Sequence, residues 1–397
     1  MRTIVSVTLT EPPRATTREW IGTGVLTLPA LLASMDLSVL FMASPWISAD
    51  LAPTASQHLW VMDVYWFVMA GLLITMRSVG DRIGRRKLLL LGATLSLTAI
   101  LPLVHGIKKI AEEGPVWTTL AAIVLGAVLA ALFVVRQRTA ASPMIDVRLV
   151  ARPAFSGSMI ANAIVVFATA GMGLLSVTFL QTVLGFAPLA AALWMLPAVA
   201  GSFLGVVIAA LLARTVRPAL LVSIGLLVAA GGVAGMSLVT PDSHVGLLII
   251  ACSALTLGVG MTATMVTSLV LTTAPPEKAG AASAPAETSS EFGGALGIAT
   301  LGTLAGTIYR GAMTADPVPG AENAADAAGD TVGAAVAAAR GLPAEGADLL
   351  LRQAFEAYTH GLSLAAVVGA AVLALAAVGA GLALRTATTP QFTNTEE

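Results

Sequence analysis

The chain has 397 residues, 57% of them hydrophobic and 11% charged, with a net charge of −1 and a mean hydropathy of +0.88. A soluble domain does not need so much apolar sequence, and the near-neutral balance gives no footprint for nucleic acid. One cysteine, Cys252, excludes an intramolecular disulfide.

Ten apolar runs are each long enough to cross a hydrocarbon core about 30 Å thick. They fall at 20–42, 58–79, 87–106, 116–135, 155–184, 188–213, 218–239, 244–272, 283–308 and 355–384. Lipid cannot satisfy backbone polar groups, so each run is expected to be a helix. The predicted fold is an all-α polytopic membrane protein of about ten transmembrane helices. Residues 1–19 carry Arg2, Arg14 and Arg18 beside Pro12 and Pro13 and read as a retained cytoplasmic tail, not a signal peptide. The seventh and eighth runs are rich in Gly and Ala, which suits close helix contact in lipid.

The distribution of basic residues orients this pattern. With the N-terminus in the cytoplasm, inner segments hold sixteen of the lysines and arginines, among them Arg77, Arg82, Arg85, Arg86, Lys87, Arg214, Arg217 and Lys278. Outer segments hold five: Lys108, Lys109, Arg310, Arg340 and Arg352. Both termini are therefore expected in the cytoplasm of a multi-pass inner-membrane protein. Two connections stand out: a basic inner loop at 136–154, and an Ala- and Gly-rich outer loop at 310–354. Composition allows the outer loop either a short surface helix at Ala335–Arg340 or disorder.

Charges inside the apolar runs are the informative ones, because a buried charge costs a few kcal/mol. Asp36 falls near the middle of the first run and Asp63 in the outer half of the second. Glu287 and Glu291 stand four residues apart on one face of the ninth. No Lys or Arg lies within the core of a run to neutralise them, so they are candidates for proton exchange and for attracting a cation. Plainer roles stand beside these: a hydrogen bond to a neighbouring helix for Asp36, a watery funnel for Asp63, and an N-terminal helix cap for Glu287. Trp60, Tyr65 and Trp66 cluster around Asp63, either as an interfacial aromatic belt or as a cation–π surface. The histidines lack metal-ligand spacing. No phosphate-binding loop and no nucleophile–base constellation is found, so the chain is not expected to be an enzyme, to hold a metal or to use a cofactor.

The stretch Gly80-Asp81-Arg82-Ile83-Gly84-Arg85-Arg86-Lys87 resembles the signature loop between the second and third helices of the major facilitator superfamily. Asp36-Leu37-Ser38-Val39 through Pro45 resembles the first-helix motif of its fourteen-span drug:proton antiporters. Ala274–Gly280 with Glu287–Gly297 is similar to their penultimate helix and its approach. The likeness is closest to quaternary-ammonium and methyl viologen resistance transporters. It implies a major-facilitator-like bundle that exports lipophilic or quaternary-ammonium cations in exchange for protons. Asp36, Asp63, Glu287 and Glu291 would be its coupling and recognition acids, and Trp60, Tyr65 and Trp66 its aromatic substrate contacts. Gly80, Asp81, Arg82, Gly84, Arg85 and Arg86 would form a gating loop. The resemblance pairs Asp81 with the start of the penultimate helix, around Pro285–Thr288.

The chain also departs from that family. After Leu88–Ala93, which looks like the start of the third family helix, Thr94–Pro102 looks like the seventh, so family helices three to six are expected to be missing as a block. Arg77 replaces the glycine that usually opens the signature. The resulting organisation is a tail at 1–19, a remnant of the amino-terminal bundle at 20–106 with its loop at 77–87, a linker span and basic loop at 107–154, a six-helix carboxy-terminal bundle at 155–385, and a tail at 386–397. A truncated homologue that does not transport, a homodimer that closes the open wall, and an exporter of an antibiotic or metabolite are the alternatives.

Overall fold

The computed structural model describes residues 59–60, 124, 128, 132, 135, 152–273, 279–315 and 328–384. The described residues are helical, without strands, and six of their helices are long and apolar enough to cross a membrane. These coincide with the last six runs read from hydropathy. Of the first four runs, a few positions are described. Val124, Val128, Leu132 and Val135 are helical and exposed, three or four residues apart and so on one stripe of a helix.

Prolines start three of the described helices. Pro153 opens α1 (Pro153–Thr178) with extended Arg152 before it, and Pro218 opens α4 (Pro218–Met236) behind extended Arg217. At the first position the missing N–H costs nothing and the fixed φ already suits the helix. Helix α1 widens into a π segment at Phe179–Val183 and ends in a turn at Gly185, whose φ of +68° favours glycine. Phe186 then stacks on Trp194 at 6.3 Å, holding the turn against α2 (Pro188–Trp194). Pro197 has no N–H to offer the Leu193 carbonyl, so α2 breaks at Met195 before α3 (Leu196–Leu212). At the outer turn, the Thr240 N–H donates to Ser243 Oγ at 2.8 Å, and the Gly246 N–H to His244 Nδ1 at 3.0 Å, capping α5 (Val245–Thr273).

The core is assembled from backbones brought close by small residues, as expected where hydrophobicity gives helices no reason to prefer one another over lipid. A Cβ on Gly201 of α3 would lie 2.6 Å from the Ser253 carbonyl of α5, and one on Gly225 of α4 would lie 2.6 Å from Thr262 Oγ1. Gly258 meets α4 while Gly260 meets α3. Helix α5 therefore packs through two glycine-lined faces at once. The exposed large side chains, such as Leu189, Phe203, Ile250 and Leu375, have no water-soluble reason to be there and face lipid.

The ninth run is α6 (Ala279–Gly297), a π segment at Ile298–Gly302, and α7 (Thr303–Ala315). Helix α8 (Val332–Ala339) follows, then α9 (Ala344–Ala383). Two sequence expectations are corrected here. The 310–354 segment is largely helical where described: α7 runs to Ala315 and α9 starts at Ala344. The short helix is not a surface element either, since Val332, Ala334, Ala335 and Ala339 are buried. Alanine side chains this small let α8 settle onto the head of the bundle, and Thr331 Oγ1 accepts the Ala334 N–H at 3.1 Å to start it. With 40 residues α9 is about 60 Å long, so its first turns project beyond the lipid.

Candidate functional site

The acids of the ninth run lie on the seam between α6 and α1. Their contacts advance together along both helices, from Ser289–Met159 to Gly293–Ala163 and Gly297–Phe167, so the two run parallel. Gly293 of α6 approaches the Ala163 carbonyl, and Gly297 that of Phe167, too closely for any larger residue. One turn before this glycine contact, side chains stitch the seam. Ser289 Oγ donates to the Met159 carbonyl at 2.9 Å, and Asn162 Nδ2 donates to Ser290 Oγ. Ser290 in turn donates to its own-helix carbonyl, Ala286, at 3.1 Å.

Glu287, Ser290 and Glu291 occupy positions i, i+3 and i+4, hence one helix face. Glu287 is exposed and Glu291 partly buried. The Oε2 of Glu291 is buried and has no hydrogen-bond partner among the described residues. The other side-chain atoms in that condition include Thr262 Oγ1, Thr303 Oγ1 and Arg310 Nε, so Glu291 is the acid among them. A carboxylate oxygen withdrawn from water and left unpaired is costly, and such a group binds a proton or a cation to remove the cost.

The structure corrects two sequence expectations about this helix. It begins at Ala279, not near 283, so Glu287 is its ninth residue and cannot cap its start. Pro285–Thr288 likewise lie inside the helix and offer no free N-terminal N–H groups to Asp81. The alanines of 279–284 are strong helix formers and carry the helix back past Pro285. Asp36, Asp63, Tyr65, Trp66 and the loop residues Gly80, Asp81, Arg82, Gly84, Arg85 and Arg86 lie outside the described residues. Trp60 is described: it is helical and half-buried, and its neighbour Leu59 packs against Gly302 of the π segment. The start of the second run is thereby placed beside α6–α7.

Sequence reading missed Asn162, Ser289 and Ser290 as parts of this site. The signal was present, an amide in an otherwise apolar run about as deep from its cytoplasmic end as Glu287 is in its own helix. Depth alone could not say that these two helices are neighbours.

The model of the Major Facilitator Superfamily matches residues 114–298. Over 492 aligned positions, covering 94% of this chain and 97% of the relative, the chain is 28% identical to the multidrug efflux pump LfrA of Mycolicibacterium smegmatis. Over residues 114–298 the chain is similar to the major facilitator superfamily. A second relative, the methyl viologen resistance protein SmvA of Salmonella typhimurium, is 38% identical over 78 residues, which cover 20% of this chain and 16% of the relative. A bacterial homologue of the human lysosomal transporter Spinster, solved inward-facing and occupied, shares the fold. Its TM-score is 0.55 at 18% identity, over 94% of this chain and 98% of that one. The protein is thus a multi-pass, helical protein of the cytoplasmic membrane. The long alignment with LfrA also contains a length difference. This chain supplies 94% of its 397 residues, roughly 373, to 492 aligned positions, so roughly 119 positions have no counterpart here. That is about four spans of 20 residues with their connections.

Proposed function

We propose that this protein exports lipophilic or quaternary-ammonium cationic drugs across the cytoplasmic membrane in exchange for protons. The observation that carries the reading is the alignment with a multidrug efflux pump along nearly the whole of both chains. The unpaired Glu291 oxygen on the α6 seam supports it chemically. Carboxylates at 36 and at 287 or 291 would bind the proton or the cation in alternation, since one low-dielectric acid neutralises one charge well. Asp63 with Trp60, Tyr65 and Trp66 would receive the cation on the outer side. The loop carrying Gly80, Asp81, Arg82, Gly84, Arg85 and Arg86 would close the inner side. The energy comes from the proton gradient, without a cofactor.

Cells expressing the chain are expected to extrude ethidium until an uncoupler collapses the gradient. Ethidium retention equal to that of vector controls would remove the proposal. If Asp36→Asn left efflux intact, the coupling role of that residue would be wrong.

The roughly 119 positions absent relative to LfrA favour one further arrangement. In that arrangement the 20–106 segment would be a shortened amino-terminal bundle whose open wall a second copy covers. A mass near twice 40.1 kDa for the protein in mild detergent supports this dimer, and a monomeric mass in transport-competent preparations excludes it.

A further inference from the structure

An exchanger needs a closure on each side of its path, because a path open to both sides lets protons cross without cargo. Leu59 opens the second run and Gly302 lies late in the ninth, so the basic-residue bias puts both toward the outer face. The two residues touch. A Cβ on Gly302 would lie 2.8 Å from Leu59 Cδ2, so only a glycine leaves room for that methyl group. Leu59 is 8% exposed, and its contact joins the amino-terminal part of the chain to the penultimate span.

The helix under this seat is irregular. Gly302 ends the π segment Ile298–Gly302, a wide turn of the kind that recurs at functional sites. Thr300 and Thr307 spend their hydroxyls on carbonyls four residues back, Leu296 at 2.6 Å and Thr303 at 2.8 Å. Thr303, between them, does not. Its Oγ1 is buried without a hydrogen-bond partner, while its N–H is shared between the Ala299 and Thr300 carbonyls. An α-helical turn here would offer Thr303 the Ala299 carbonyl, as Leu296 is offered to Thr300. The segment under Leu59 thus has a second, better-bonded form open to it.

We propose that Leu59 seated on Gly302 is the outer closure of the transport path, and that the π segment is the joint on which it parts. Leu59 fills the glycine seat and holds the wide turn while the outer side is shut. A turn that tightens to α takes up one residue, which rotates the outer part of the helix by about 100° and carries the seat from under Leu59. This rests on the proposed export reading and assigns its outer side.

The test uses the full chain in a Cys252→Ser background. The Cβ position at Gly302 is 3.9 Å from Leu59 Cγ. The Cβ atoms of Leu59→Cys and Gly302→Cys are therefore at most about 5.4 Å apart, within reach of a short bifunctional methanethiosulfonate. A protease site inserted in the 136–154 loop reveals the link as two halves that stay together until dithiothreitol is added. Cells carrying the linked protein are expected to lose ethidium efflux on the order of tenfold or more, and to regain it with dithiothreitol. Failure of the link to form in the folded protein, or efflux undiminished by it, would overturn the proposal. A second readout needs no transport. Thr303→Cys puts a thiol at the buried position beside the seat, and Leu59→Ala empties the seat. Adding Leu59→Ala is expected to speed labelling of Cys at 303 by an impermeant external maleimide on the order of tenfold. Equal labelling with and without Leu59→Ala would overturn the proposal as well. If the native chain extrudes no ethidium while Leu59→Ala still speeds labelling, the export reading falls and the closure stands.

Discussion

Glu291 and Glu287 are chemically identical, and their surroundings separate them. Glu291 carries a buried oxygen without a partner among the described residues, while Glu287 is exposed on the same helix face. Glu291→Gln keeps the volume and removes the charge, so efflux driven by the gradient is expected to fall on the order of tenfold or more, the scale of coupling between two ligands. Its unfolding temperature in detergent should not drop, because an unpaired carboxylate oxygen contributes nothing favourable to the fold. A lowered unfolding temperature with unchanged efflux would assign Glu291 a packing role. Glu287→Gln is expected to weaken efflux less. Buried Tyr358 makes a different point, because its hydroxyl donates to the Leu175 carbonyl at 2.8 Å across 183 residues of sequence. Tyr358→Phe deletes the hydroxyl that joins α9 to α1 and should destabilise by about 1 kcal/mol, readable as a small shift in thermal unfolding.

Helices in this bundle recognise each other through backbone approach. Gly171, Gly293 and Gly297 line the α1–α6 crossing, and a Cβ on Gly171 would lie 2.6 Å from the Gly297 carbonyl. The atom in the way is backbone, so no side chain can swing aside. Gly297→Ala is therefore expected to separate the two helices and to cost on the order of 1–3 kcal/mol, seen as a lower unfolding temperature. Gly173, with open space around it, is the matched control, and its alanine variant should unfold close to the native protein. The same crossing sets the rotation of α6, on which the aim of Glu291 depends. Gly297→Ala should for that reason lower efflux at temperatures where the protein is still folded.

At the scale of the described bundle, hydrogen bonds tie the end of α7 to Ala328 and to the first part of α9. Tyr309 at the end of α7 donates to the Ala328 carbonyl at 2.7 Å, and Gln353 Nε2 to that of Ala312 at 3.4 Å. Topology follows from the basic-residue bias and can be checked by labelling. In a Cys252→Ser background, Asp348→Cys on the exposed start of α9 should react with an impermeant maleimide added to intact cells. Thr215→Cys, between α3 and α4, should react only after permeabilisation. Reversed accessibility would invert the assigned orientation. In the native protein Cys252, 3% exposed in the core, should stay unlabelled before and after permeabilisation.

The six described spans were legible in the sequence because crossing lipid demands a long apolar run with its backbone bonds closed locally, and hydropathy records that demand directly. The prolines at 153, 188 and 218 fixed where helices start for an equally local reason. Orientation was legible because it depends on a sum over loops and not on any contact. The nature of the 328–354 segment was not, since alanine and glycine serve a buried helix and a loose loop equally well. Only the packing of Ala335 and Ala339 against the bundle distinguishes them. The acids of the ninth run could be read as unusual, yet their difference could not. That Glu291 is withdrawn and Glu287 is not, and that Asn162 from a helix 128 residues away borders them through Ser290, depends on which helices touch. Contact between distant helices rests on backbone approach at a few glycines, and that information lies in pairs of positions, not in any single run.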